Sequence, residues 1–222
     1  MTPDALTPTT GRRLVAGGLL WASLVQMPVV NNAVVLPEAT NQSLVHQIIS
    51  ALGITRCGRV EGFRFCSPWH EAADVAWIVG GLCLALGAVL NAGLFPAGRL
   101  RNTAFTALAL SGLGLTATGL NPYNLRPAAH LLSAGTCFFS GAVGVLLLGV
   151  LLRRTGRPYW GAAGIVCGVT SLICAVLTGV RPDPSDQGAF ERASAWPSIL
   201  WIIVTGAMLL FSRPRTPAGE TR

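Results

Sequence analysis

The chain has 222 residues, of which 51% are apolar and only 11% are charged. Soluble domains carry roughly a quarter charged residues, so this composition excludes an ordinary soluble protein. The net charge of +7 comes from 16 basic residues, all of them arginine, against nine carboxylates. Because these arginines lie at the borders of apolar segments and not on one polar face, they predict contact with anionic lipid headgroups and not with nucleic acid.

Six apolar segments of about 19 to 24 residues follow one another, and each is long enough to cross the roughly 30 Å hydrocarbon core of a bilayer as a helix. The chain is therefore predicted to be an all-α polytopic membrane protein with six transmembrane helices in one bundle and no separate soluble domain. The spans are predicted at about 14–35, 72–95, 103–120, 128–152, 159–180 and 193–211. They make one domain, 14–211, between short tails at 1–13 and 212–222, with a long loop at 36–71.

The first span follows Arg12 and Arg13, as a secretory signal follows its basic region. The apolar run is longer than a usual signal core and five more spans follow it, so we expect an uncleaved first span. In the long loop that comes next, an apolar piece at 43–54 is predicted to be helical.

The distribution of arginine predicts the orientation of the spans, because Lys and Arg in short loops remain in the cytoplasm. With the N-terminus inside, ten arginines are cytoplasmic and six are outside, while seven of the nine carboxylates are outside. Both termini are therefore expected in the cytoplasm, and the protein in a bacterial plasma membrane as a multi-pass protein. The ten cytoplasmic arginines are 12, 13, 99, 101, 153, 154, 157, 213, 215 and 222.

Two cysteines, Cys57 and Cys66, fall in the outer loop, where an oxidising compartment favours a disulfide between them. Free thiols are the alternative, and a tetrahedral metal site needs more ligands than these two. The other four cysteines lie within spans, where thiols behave as small apolar groups, and they are Cys83, Cys137, Cys167 and Cys174.

Polar side chains gather at the outer ends of the spans, each on a helix face rich in small residues. Such groups usually face the interior of a bundle. We therefore expect one outer polar cluster, in which three readings compete: a structural cap, an open pocket for a lipid headgroup or small ligand, and catalysis at the membrane surface. The cluster consists of Asp74, Asn121, Arg126, His130, Glu191 and Arg192.

A metal site is a weaker possibility at the same depth, because histidine and aspartate ligands can hold a metal-bound water. Its candidate ligands are His46, His70, Asp74 and His130, and no local metal-binding motif joins them. The sequence has no phosphate loop and no dinucleotide-binding fingerprint after a strand, so no cofactor is predicted. It also lacks the buried midplane carboxylates of a proton-coupled transporter.

Several short elements occur in an order that resembles a known family. They are Ile-Ser-Ala-Leu-Gly at 49–53, Gly-Leu-Phe-Pro at 93–96, Asn-Pro at 121–122 leading to His130, Ala134 and Phe-Phe at 138–139, and Gly188 before Glu191 and Arg192. The order resembles the prokaryotic membrane-protein family known as domain of unknown function 998, over nearly the whole chain. In outline that family is similar to the six-span Frag1/DRAM/Sfk1 proteins. The resemblance implies six helices and an outer His/Glu/Arg cluster, and it implies no reaction.

The sequence thus favours a membrane protein that binds a lipid or small amphipathic ligand at an outward-facing polar pocket, or that acts as an accessory to another membrane protein. Its expected partners are membrane lipids and other membrane proteins. The alternative is a membrane-embedded hydrolase or transferase acting on an outer-leaflet lipid, including a metal-dependent one.

Overall fold

The computed structural model of the chain describes residues 8–40, 43–60, 63–180 and 185–211. Most of the two predicted tails, at 1–7 and 212–222, lies outside the described residues. The prediction of an all-α polytopic bundle is confirmed, because six helices are long and apolar enough to cross a membrane. These six spans are Gly11–Glu38, His70–Ala92, Arg99–Leu120, Pro127–Arg154, Pro158–Val180 and Gln187–Phe211.

The first span is the least regular of the six. An α-helix at Pro8–Ala22 continues as a 3-10 turn at Ser23–Val25, a short α-helix at Gln26–Val29, a π-helix at Val30–Val35 and a 3-10 turn at Leu36–Glu38. One stripe of side chains nevertheless stays buried through all these changes, spaced three or four residues apart as helix geometry requires. The stripe is Trp21, Leu24, Met27, Asn31 and Val35.

The spans pack in chain order, each against the next, and the first span packs against both the second and the sixth. This closes a ring around an interior. The fourth span also touches the sixth directly, so the fifth span lies outside the ring in the groove between them. Its buried residues fit that position, since they are small and confined to one stripe: Gly161, Gly164, Gly168, Ser171 and Ala175.

Glycines bring neighbouring spans into backbone contact. A Cβ at Gly81 would overlap the carbonyl oxygen of Gly112, and a Cβ at Gly112 would lie 2.5 Å from the carbonyl oxygen of Gly81. Gly149 and Gly161 stand in the same relation between the fourth and fifth spans, at 2.7 and 2.5 Å. Without a hydrophobic driving force between helices in lipid, such close approach supplies the van der Waals contact that holds them together.

The loop between the first two spans defines what we call the outer end of the bundle, and the opposite end, where the first span begins and the sixth ends, is the termini end. In this loop β1 (Gly58–Val60) pairs antiparallel with β2 (Phe63–Phe65), with Gly58 opposite Phe65. Cys57 and Cys66, whose Cα atoms are 4.2 Å apart, form the predicted disulfide at the open end of this hairpin. Cys83, Cys137, Cys167 and Cys174 are free.

The structure differs from the prediction in two places that matter for the site. Only Ile49–Gly53 of the 43–54 piece is helical, and it is a 3-10 helix and not an α-helix. The sixth span begins at Gln187, whereas the sequence placed its start near residue 193. Hydropathy counts Glu191 and Arg192 as loop residues, but both are buried inside the helix. Groups of the outer loop bind the carboxylate of Glu191 and Nη1 of Arg192, whereas Nε and Nη2 of Arg192 are buried without a hydrogen-bond partner among the described residues.

Candidate functional site

Glu191 holds the Ile49–Gly53 helix against the sixth span. Its carboxylate accepts hydrogen bonds from the backbone N–H of Ile49 and, over 2.7 Å, from the hydroxyl of Ser50. The first N–H groups of any helix lack partners within it, and a carboxylate is well suited to accept from them. Glu191 therefore caps a helix that lies 141 residues earlier in the chain.

Arg192 binds the preceding part of the same loop. One of its nitrogens, Nη1, donates to the carbonyl oxygens of Leu44 at 3.0 Å, Gln47 and Gly188 at 3.1 Å. A Cβ at Gly188 would overlap the backbone of Gln47, so only glycine allows the loop to lie directly on the start of the sixth span. Glu191 and Arg192 thus form two adjacent attachments between the outer loop and the sixth span.

His130 lies at the start of the fourth span and is only 1% exposed. Its Nδ1 is 2.8 Å from the carbonyl oxygen of Asn121, and its ring packs edge-on against Tyr123 with centroids 5.4 Å apart. Since a carbonyl only accepts, Nδ1 is the protonated nitrogen. Nε2 is buried and has no hydrogen-bond partner among the described residues. Arg126 also contacts Asn121, through a 3.4 Å hydrogen bond to its side-chain oxygen.

Asp74 lies in the first turns of the second span, and its Oδ1 has no hydrogen-bond partner in the part of the chain that the structure describes. A Cβ at Gly53 would overlap this oxygen, so Asp74 lies against the end of the Ile49–Gly53 helix. Glu191 caps the start of that same helix. A 3-10 helix rises about 2 Å per residue, which separates the two carboxylates by roughly 8 Å along its axis.

The structure thus joins the predicted cluster in two groups. Asn121, Arg126 and His130 are linked by hydrogen bonds at the turn between the third and fourth spans. Asp74, Glu191 and Arg192 surround the apolar segment of the outer loop. That the two groups form one ligand-binding cluster stays a prediction.

A cavity of about 40 Å³ lies beneath the Ile49–Gly53 helix, inside the outer half of the ring. This volume has room for about three waters. Glu191, Ser50 and Thr118 supply its polar wall, while the rest of the lining is almost wholly apolar. The apolar lining comes from Met27, Ile49, Trp77, Leu115, Ala134, Cys137, Phe138, Ala195, Trp196 and Ile199.

Three further polar residues lie one helical turn from residues that line this cavity, on its outer side. Asp74 precedes Trp77, His130 precedes Ala134, and Asn31 follows Met27. Residues three or four apart share a helix face, so these side chains lie around the outer rim of the cavity. Each of the three has at least one buried polar atom without a hydrogen-bond partner among the described residues.

The two outer-loop histidines among the candidate metal ligands contact backbone carbonyl oxygens through Nδ1. His46 Nδ1 contacts the carbonyl oxygen of Ser185, and His70 Nδ1 lies 3.1 Å from that of Ser67. Within the described ranges, no three His, Cys, Asp or Glu side chains lie close enough together to hold a metal ion. No observation therefore favours His46, His70, Asp74 and His130 as ligands.

A family model described as a protein of unknown function, DUF998, matches residues 14–208, which is most of the chain and includes all six spans. The chain belongs to the DUF998 family. The resemblance seen in the short sequence elements is thereby confirmed. No curated protein and no solved structure is significantly similar to this DUF998 chain.

Sequence reasoning missed two polar residues of this DUF998 site. Asn31 is fully buried, and both atoms of its side-chain amide lack partners among the residues described. The available signal is its place in an otherwise apolar stripe, four residues from both Met27 and Val35. Ser50 lines the cavity and binds Glu191, but nothing local in the loop sequence indicates that partner.

Proposed function

We propose that this DUF998 protein binds a lipid or small amphipathic molecule from the outer leaflet, with the polar end of the ligand in the cavity beneath the Ile49–Gly53 helix. The observation that carries this proposal is the cavity itself: an apolar chamber with one polar wall, surrounded by buried polar atoms that lack partners among the described residues. Such atoms usually belong to a site that water or a ligand completes. The assignment to the outer leaflet rests on the arginine distribution.

The polar wall indicates the chemistry of the ligand's polar end. The Ser50 hydroxyl gives its hydrogen to Glu191, and the Thr118 hydroxyl contacts the carbonyl oxygen of Gly114 at 2.9 Å. What remains free on these groups is mainly lone pairs. The wall therefore suits a ligand that donates hydrogen bonds, such as one ending in an amine or hydroxyl.

The apolar part of the ligand has a path between the fourth and sixth spans. Phe138, Trp196 and Ile199 line the cavity and are only half-buried, so this side is open to the surroundings of the bundle. The fifth span packs closely on the groove from Gly161 as far as Ala175, and the hydroxyl of Ser198 donates to that of Ser171 over 2.8 Å. At its outer end, a Cβ at Gly179 would meet nothing within 4 Å. The fifth span therefore leaves the groove less covered only at its last outer turn, beyond Ala175.

The experiment is photocrosslinking of the whole chain in nanodiscs with a phosphatidylethanolamine that carries a diazirine on its acyl chain. This lipid has an ammonium donor in its headgroup. We expect crosslinked peptides from 134–138 and 195–199, and fewer from the lipid-facing side of the second span near Val79 and Leu86, which are exposed. Crosslinks spread evenly over all exposed faces would overturn the proposal.

A matched pair of variants tests the cavity. Ala134→Leu fills it, whereas at the adjacent Gly135 a Cβ would meet nothing within 4 Å, so Gly135→Leu is the control. We expect Ala134→Leu to abolish preferential crosslinking and Gly135→Leu to retain it. Equal crosslinking in both variants would overturn the assignment of the cavity. Recovery of the lipid in cleaved form would overturn simple binding and favour the hydrolase alternative.

A further inference from the structure

A tight turn gathers three arginines at the termini end, between the fourth and fifth spans. The fourth span ends at Arg154, Gly156 has φ of 91°, and the N–H of Arg157 donates to the carbonyl oxygen of Leu152 over 3.0 Å. This is a Schellman motif, in which glycine takes the left-handed conformation. It reverses the chain within three residues and brings Arg157 beside the end that carries Arg153 and Arg154.

A groove of about 350 Å³ lies against this turn and is lined by Val150, Arg153, Arg154 and Ile165. The stem of the Arg153 side chain lies against the fifth span at Gly161. A Cβ at Gly161 would lie 2.6 Å from Cγ of Arg153, so a side chain at residue 161 would displace the arginine stem. Val150 is one turn deeper along the fourth span than Arg153 and Arg154, which places apolar surface below the two charges.

The electrostatics of the termini end favour an anion. Its described arginines are 12, 13, 99, 101, 153, 154 and 157, and no carboxylate is found among the described residues at that end. Arginine forms bidentate hydrogen bonds with phosphate, and each basic residue near a membrane surface strengthens binding to anionic lipid about fivefold.

We propose that the groove of Val150, Arg153, Arg154 and Ile165 binds an anionic phospholipid of the leaflet on the termini side. The phosphate contacts the guanidinium groups of Arg153 and Arg154, and an acyl chain follows Val150 and Ile165 towards the bilayer centre. This site is at the opposite end of the bundle from the cavity under the Ile49–Gly53 helix and does not depend on it.

The test is native mass spectrometry of the whole chain, delipidated in mild detergent and titrated with phosphatidylglycerol or with phosphatidylcholine of the same acyl chains. We expect phosphatidylglycerol to bind more tightly. Arg153→Gln with Arg154→Gln should weaken its binding roughly 25-fold, at about fivefold per charge. The control, Arg12→Gln with Arg13→Gln, removes the same charge from exposed positions at the same end that do not line the groove, so it should weaken binding clearly less.

Two further measurements distinguish binding in this groove from a general attraction of the anionic lipid to positive charge. Ile165→Trp keeps every arginine and fills the groove, so it should weaken phosphatidylglycerol binding as well. Soluble glycerol phosphate at millimolar concentration should not displace the lipid, because it lacks the acyl chain. Equal losses in the two arginine pairs, equal binding of both lipids, or displacement by glycerol phosphate would overturn the proposal.

Discussion

Ser50 donates a 2.7 Å hydrogen bond to the carboxylate of Glu191, and this bond joins the outer loop to the sixth span. The same carboxylate also accepts from the N–H of Ile49, so one buried side chain both caps the loop helix and forms part of the cavity wall. The Ile49–Gly53 helix, which forms the roof of the cavity, is therefore held in place by a residue of the sixth span. Stability of the loop and shape of the cavity are coupled through Glu191.

Glu191→Ala should lower the free energy of unfolding by about 1–3 kcal/mol, because it leaves the buried N–H of Ile49 without its acceptor. Glu191→Gln keeps an acceptor oxygen and should cost less. The measurement is thermal unfolding in detergent, followed with a thiol-reactive dye that reports exposure of the free cysteines, of which Cys137 is buried. Glu71→Ala is the control, since Glu71 is an exposed carboxylate in the second span. Equal effects at both positions would contradict the capping role.

His130→Ala should also destabilise the bundle by about 1–3 kcal/mol, since it removes the bond to Asn121 and the ring contact with Tyr123. Arg126→Ala removes an exposed partner of the same Asn121 and should have little effect. The dye assay used for Glu191 measures both variants. An unchanged midpoint for His130→Ala, together with lost lipid crosslinking, would show that the histidine serves the ligand and not the fold.

Gly81→Leu should weaken the contact between the second and third spans, because its Cβ would overlap the backbone of Gly112. Overpacking of this kind costs typically 1–3 kcal/mol and occasionally more. Gly179→Leu is the matched control, at a position where a Cβ meets nothing within 4 Å. The measurement is the fraction of monomer that survives heating in detergent, determined by size-exclusion chromatography. This fraction should fall for Gly81→Leu only. Comparable losses in both would contradict the close packing of the two spans.

The Cys57–Cys66 disulfide predicts a simple labelling result. A membrane-impermeant maleimide should not modify either cysteine before reduction, and it should add two labels after reduction, counted by intact mass. The double variant Cys57→Ser with Cys66→Ser should show no such increase. Labelling of wild-type Cys57 and Cys66 without reductant would contradict the bond.

The orientation of the bundle is testable with reporter fusions. Because the arginines concentrate at the termini end, we expect a fluorescent protein fused after Arg222 to be bright and alkaline phosphatase at the same position to be silent. Phosphatase fused after Trp69, in a chain truncated there, should be active. The opposite pattern would invert the membrane orientation and move the proposed outer-leaflet site to the cytoplasmic side.

The six spans could be predicted from sequence because hydropathy is a local property, and their bounds differ from the structure by a few residues in most cases. The sixth span is the instructive exception. Glu191 and Arg192 are charged, so hydropathy starts the helix after them, although partners from the outer loop bind the Glu191 carboxylate and Nη1 of Arg192. The charges themselves gave no indication of those partners.

The site could be predicted only in part. Helical spacing placed Asp74, His130 and Glu191 on interior faces, and all three are buried. The contact between Glu191 and Ile49 spans 142 residues, and no local pattern specifies such a pairing. The sequence likewise does not indicate the hairpin closed by Cys57 and Cys66, since strands of three residues show too little alternation of apolar and polar side chains to be identified.

The long-range bond of Glu191 sets an order on the biogenesis of the protein. The ribosome completes the hairpin of Cys57 and Cys66 long before it reaches the sixth span, so oxidation of this loop needs nothing that is synthesised later. The Ile49–Gly53 helix, in contrast, has no cap until Glu191 has entered the membrane. During most of translation the outer loop is therefore cross-linked and lacks its attachments to the sixth span, although Gly53 already lies against Asp74 of the second span. The closing of the ring by the sixth span is also the event that seats the roof of the cavity, so a nascent chain stalled before residue 187 lacks that roof.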